Sequence, residues 1–185
     1  DFEPLEMPWG SAIKDFDNDG QADLAITTSD FSNLPDYARY PIWMLQQESP
    51  GSWSEVGGEW GLPQETGSRG LIAHDVNGDG VLDLLAADFE RDPWVLLSDG
   101  CTAQNWIEVT APTGTVVTAI AGDQRWLGIA SRHQGFGSSQ PPVAHIGLGD
   151  VETLDAIHLQ VPWFGEAWRV EPTTTRRRLH WSPVD

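Results

Sequence analysis

The stretch "DFDNDGQADLAIT", Asp15 to Thr27, decides how this chain is read. Four aspartates, Asp15, Asp17, Asp19 and Asp23, fall within nine residues around Gly20, and an apolar run follows. Carboxylates crowded this closely repel, each pair about 4 Å apart costing roughly 4 kcal/mol at an effective dielectric near 20. A divalent cation reverses that sign. Asp at positions 1, 3, 5 and 9 of a loop, with Gly at position 6 for the sharp bend, provides oxygen ligands of the kind calcium takes. The backbone carbonyl of position 7 and water would complete a shell of about six to eight oxygens.

Sixty residues on, "DVNGDGVLD", Asp75 to Asp83, repeats the arrangement. The register holds Gly10 over Gly70, Asp15 over Asp75, Asp19 over Asp79, Gly20 over Gly80 and Asp23 over Asp83, which is an internal repeat. Two calcium sites are therefore expected. Asp15, Asp17, Asp19 and Asp23 form the first, with Gln21 offering a carbonyl; Asp75, Asn77, Asp79 and Asp83 form the second, with Val81 in that role. With four carboxylates against three and an amide, the first site is expected to bind more tightly. An EF-hand would need a glutamate at position 12 and helices on both flanks. Position 12 is Ile26 in one copy and Ala86 in the other, and both flanks read as strands.

Each copy runs from a short apolar strand through the acidic turn into a second strand ("LAITT", "LLAAD"), then a third ("YPIWMLQQ", "DPWVLLSDG"), with "GSWSEVGGEWGLP" between the copies. Short strands at regular spacing predict an all-β fold, and about four strands per unit is the content of a propeller blade. From Asn105 the pattern changes to alternating strands through "NWIEV", "VAHIGLGD" and "LDAIHLQVPW". The expected organisation is two blades over 1–104 and a small β-rich domain over 105–185, with "TTTRRRLHWSPVD" as a closing strand or a tail. Arg176 to Arg178 read most simply as a solvated basic patch, with docking on the acidic half or on an acidic partner as the alternative.

The formal net charge is -18, and it is uneven: residues 1–100 hold 20 acids against 4 bases, the remainder 8 against 6. Such a chain is a poor match for nucleic acid or an anionic membrane and a good one for cations. No apolar run reaches the roughly 20 residues of a membrane span. The beginning, "DFEPLEMPWG", lacks the basic and apolar regions of a signal peptide, so a soluble, mature or processed product is expected. Cys101 is the single cysteine and can form no intrachain disulfide; a half-buried thiol, an exposed one and an intermolecular bridge remain open.

The residues "DFDNDGQADLAI", "DVNGDGVLDLLAAD" and "GSWSEVGGEWGL" resemble the FG-GAP/VCBS repeat family. That resemblance implies blades of an integrin-α-like β-propeller built around D-x-[DN]-x-D-G-x-x-D calcium loops. "NWIEV", "TAIAGDQRWLGIASRHQGFGSSQPPVAHIGLGD" and "LDAIHLQVPW" resemble the ASPIC/UnbV domain, although the segment from Val109 to Val116 is shorter than that family's pattern. The pairing implies an extracellular or periplasmic location and brings no catalytic residues. Two blades cannot close a propeller of about four to eight, so open sheet edges need cover. The rest of a longer chain, a protein partner or copies of the same unit are the expected sources.

The five histidines are scattered and form no catalytic constellation, and "GLGD" at 147–150 lacks a dinucleotide-site context. The chain is not expected to be an enzyme. Of the ten tryptophans, Trp43, Trp94 and Trp106 lie in strand patterns and are expected in the core. Trp60, Trp163 and Trp168 border irregular stretches and are candidates for stacking on sugars. The leading expectation is a calcium-binding propeller segment in adhesion, assembly or partner recognition. A lectin-like carbohydrate-binding module, or a non-catalytic part of a larger enzyme or redox complex, are the alternatives.

Overall fold

The computed structural model describes residues 7–29, 39–89, 91–100, 104–163, 167–170 and 173–182. Cys101 lies outside them. The described residues are all-β, in several sheets, none of them closed.

The N-terminal half holds two antiparallel meanders. Strands β1 (Pro8–Lys14), β2 (Asp23–Thr28), β3 (Ile42–Ser49) and β4 (Ser52–Glu55) form the first, in sequential order. Strands β5 (Ser68–His74), β6 (Asp83–Asp88) and β7 (Trp94–Leu96) form the second. Successive side chains alternate across a strand, and the inward set here is small or branched. Ala12, Ala25, Ile42 and Met44 of the first sheet pack with Leu71, Ala73, Leu84 and Ala86 of the second in one buried cluster. The sheets approach so closely at Gly10 that a Cβ there would lie 2.6 Å from the Arg69 carbonyl oxygen. The Thr27 hydroxyl spans the same seam, donating to that carbonyl at 3.0 Å.

The C-terminal half is a sandwich. One sheet runs β10 (Gln124–Ile129), β9 (Val116–Ala121), β14 (Ala156–Gln160), β15 (Ala167–Val170). The other runs β11 (Ser131–Gln134), β12 (Ser138–Gly149), β8 (Asn105–Thr110), β17 (Arg177–His180), and a short pair, β13 (Thr153–Leu154) with β16 (Thr173–Thr174), flanks them. Within the closing segment Arg177–His180 form a strand, and β17 pairs with β8 in parallel. Among the described residues no strand pairs across residue 104.

Strand β8 is buried on both faces, which the alternation explains. Ile107 and Val109, with Ala144, Ile146 and Leu148 of β12, fill the sandwich core. Trp106 and Glu108, with His145 and Gly147, point the other way, at the two acidic loops. The tryptophans depart in part from expectation. Trp106 is buried, but Trp43 and Trp94 are only half-buried. Trp168 packs on Trp181, with ring centroids 4.9 Å apart, and on the sandwich core.

Candidate metal centre

Each acidic loop joins the first two strands of its meander and is tied by its own carboxylates. In the first, Asp17 Oδ1 accepts from the Asp19 N–H at 3.1 Å, Asp19 Oδ1 from the Gln21 N–H at 2.7 Å, and Asp15 Oδ2 from the Gly20 N–H at 2.8 Å. One ligand atom from each of Asp15, Asp17 and Asp19 lies within 4.8 Å of the others. The remaining expected ligands have other partners. Asp23 is fully buried, and its two oxygens accept from the Phe16 N–H at 2.9 Å and the Gln47 N–H at 3.0 Å. It staples the start of the loop to β3. The Gln21 side chain donates to Asp19 Oδ2 at 3.0 Å.

The second loop repeats this pattern. Asp83 accepts from the Val76 N–H at 2.7 Å and the Ser98 N–H at 2.8 Å, so it too fixes the loop and the strand beyond. Asn77 Oδ1 accepts from the Asp79 N–H, and Asp79 Oδ1 from the N–H of Val81, which is buried. The difference lies at position 1. Asp75 Oδ1 accepts from the Gly78 N–H at 2.7 Å, and Oδ2 from the Gly80 N–H at 2.8 Å and from the Arg178 guanidinium at 2.6 Å. Among the described residues, His, Cys, Asp and Glu converge with metal-site spacing only at Asp15, Asp17 and Asp19.

Asp15 Oδ1, by contrast, is buried with no hydrogen-bond partner. Burial first, then the charges of Asp17, Asp19 and Asp23, push the Asp15 carboxyl up to about 8 against the pull of the Gly20 N–H. Burial likewise raises Asp23 to about 6. A bare first loop is therefore electrostatically unsatisfied, with an orphaned oxygen beside two further carboxylates. The donor set is all oxygen, which suits a hard cation.

Residues passed over as loop filler prove central. Asn18, at position 4, is fully buried with φ 64°. Its amide donates to the Gly80 carbonyl at 2.9 Å, its Oδ1 lies 2.8 Å from His145 Nε2, and its own carbonyl accepts from the Gly149 N–H at 2.9 Å. One side chain thus joins both loops to β12. The position-6 glycines also do more than bend. Each sits beneath a tryptophan of the sandwich: a Cβ on Gly80 would overlap the Trp106 ring, and one on Gly20 would lie 2.9 Å from Trp126 Nε1. The asparagine itself at position 4 of the loop was the available sequence signal, because Asn adopts the left-handed conformation found there more readily than most residues.

Of the sugar-stacking candidates, Trp163 stands 85% exposed and Trp60 39% exposed, whereas Trp168 is committed to packing. They are not brought together with the acidic loops, except that Trp60 and Asp17 line the same groove beside β7, of about 490 Å³.

A model of the FG-GAP-like repeat matches residues 15–86, and a model of ASPIC and UnbV matches residues 108–181. No curated protein matches the chain.

Proposed function

The chain being an FG-GAP-like repeat followed by an ASPIC and UnbV domain, we propose that it is a calcium-binding, β-propeller-type segment of the cell exterior or periplasm, acting in assembly or partner recognition. Calcium is structural in this reading. Asp15, Asp17 and Asp19 hold it, with the Gln21 carbonyl and Asp23 completing or supporting the shell. The ion neutralises a carboxylate cluster and rigidifies the turn on which the C-terminal half rests. The orphaned, buried Oδ1 of Asp15 beside Asp17 and Asp19 is the observation that carries this. FG-GAP-like repeats are typical of extracellular proteins, and no helix in the described residues is long and apolar enough to cross a membrane.

The protein acts as a scaffold in this reading, with no chemistry of its own. Its partner is a protein or a further part of the same assembly that covers the outer blade edges, while glycan stacking on the exposed Trp163 is the competing use of the surface. The test is calorimetric titration with calcium after exhaustive chelation, paired with thermal melts. Binding with a dissociation constant of about 10⁻⁴ to 10⁻³ M, in the range of extracellular modules, and a rise in Tm that follows occupancy are expected. The absence of both binding heat and a shifted melt would overturn the reading.

A further inference from the structure

We propose that the second acidic loop takes its positive charge from Arg178 instead of a metal ion, so that this chain binds one calcium ion and locks its second blade to the sandwich with a protein cation. The part concerning the first loop rests on the calcium reading above; the part concerning Arg178 does not.

The two loops share their sequence frame but face different surroundings. Asp15 abuts Gly147, which has no side chain, and keeps one buried oxygen unpartnered. Asp75 meets β17, and its side chain is fully buried with both oxygens engaged. Arg178 donates to Asp75 Oδ2 at 2.6 Å and, through Nε, lies 3.3 Å from Glu108 Oε1. A guanidinium presents its donors in a rigid planar fork, suited to holding two carboxylates at once.

Space for it comes from the sequence of the loop. Position 4 is Gly78, where a Cβ would lie 3.3 Å from Arg178 Nη1; the first loop has Asn18 there. Position 3 is Asn77, which removes one of the first loop's negative charges and bonds to Asp79 through both ends of its amide. A calcium ion at Asp75 would have to displace the guanidinium and leave Glu108 with a buried oxygen and no counter-charge. The ion pair also crosses between the halves of the chain, so the blade is tied to the sandwich whether or not calcium is present.

Two measurements on the full chain decide this. Native mass spectrometry in millimolar calcium is expected to show one bound ion in the wild type, lost in Asp17→Asn and retained in Asp79→Asn. Two ions, one of them lost in Asp79→Asn, would overturn the inference. Separately, melts of Asp75→Asn, Arg178→Gln and the double variant are recorded in chelator. The fall in Tm of the double variant is expected to be well short of the sum of the single falls, since the partners lose one shared interaction. Additive falls would equally overturn it. If no ion binds to the wild type, the calcium reading fails, and the Arg178 lock is judged on the chelator melts alone.

Discussion

The carboxamide of Gln134 closes a ring with the backbone of Ala73: its Oε1 accepts from the Ala73 N–H at 2.7 Å and its Nε2 donates to the Ala73 carbonyl at 3.0 Å. Ala73 lies on β5, the edge strand of the second meander, and the side chain reproduces the rung a neighbouring strand would supply. Two residues earlier, the Leu71 N–H donates to the Ser138 hydroxyl at 3.1 Å. The hairpin of β11 and β12 thus covers an edge that two blades alone would leave open. Gln134→Ala is expected to strand two buried backbone groups, at roughly 1 to 3 kcal/mol for each unsatisfied group. Urea denaturation monitored by tryptophan fluorescence should read a loss of about 3 kcal/mol; a loss below about 0.5 kcal/mol would mean that water replaces the amide.

Gly80 and Gly51 separate two demands on glycine. Both have left-handed φ, 92° and 84°, but nothing lies within 4 Å of a Cβ at Gly51, whereas one at Gly80 would enter the Trp106 ring. Gly51→Ala should cost only the left-handed penalty of about 1 to 2 kcal/mol. Gly80→Ala should add about 1 to 3 kcal/mol of overpacking and disturb the near-parallel stack of Trp106 on His145, whose planes meet at 16°. Comparing the two chemical-denaturation midpoints checks this, and equal losses would show that the ring moves aside freely.

Asn18 admits a cleaner test of its hydrogen bonds, because glycine tolerates φ 64° as well as asparagine does. Asn18→Gly therefore removes only the side chain. The Gly80 carbonyl and His145 Nε2 then lose their partners in a buried setting. A loss of about 2 to 3 kcal/mol is expected. Hydrogen exchange should report it in β12 and in both acidic loops together, because the amide joins all three; exchange rising in the first loop alone would contradict the bridging role.

How far the sequence could be read follows from what kind of interaction fixes each part. The repeat from Asp15 and Asp75 and the blade strands were legible because turn chemistry and alternation are local, whereas the ninth-position aspartates, expected as ligands, accept from the backbone N–H groups of Phe16 and Gln47 in one loop and of Val76 and Ser98 in the other. The carboxylate triad was legible because its turn chemistry is local. The roles of Asn18, Gln134 and Glu108 were not. Each depends on a residue more than sixty positions away in the chain, Glu108 through Arg178 and the others directly. Arg178 shows the boundary between these cases. The basic run reads most simply as a solvated patch and only secondarily as a docking element, and it takes the parallel pairing of β17 with β8, Arg178 beside Glu108, to select that arginine from the three. Trp168 erred in the other direction, since neighbouring loop residues suggested exposure while the Trp181 ring across the fold claims it.

His145 gives a pH dependence whose sign follows from its surroundings. Burial, then the positive charge of Lys14, lowers its pKa to about 4; Asp75 opposes the shift, and His74 and Arg178 add slightly to it. The unfolded imidazole titrates near 6.5, so between about 6.5 and 4 the unfolded chain binds the extra proton. The stability contributed by neutral His145 is complete above that window and is lost as the pH falls through it. His145→Gln keeps a donor for Asn18 without a titrating ring. The Tm of the wild type minus that of this variant should therefore be constant from pH 8 to 7 and shrink progressively from 6.5 toward 4. Subtracting the variant removes the contribution of the loop carboxylates, which titrate in both proteins. A difference that stays flat across the window would mean that His145 accepts a proton in the folded state, through its unpartnered buried Nδ1, as readily as it does when unfolded.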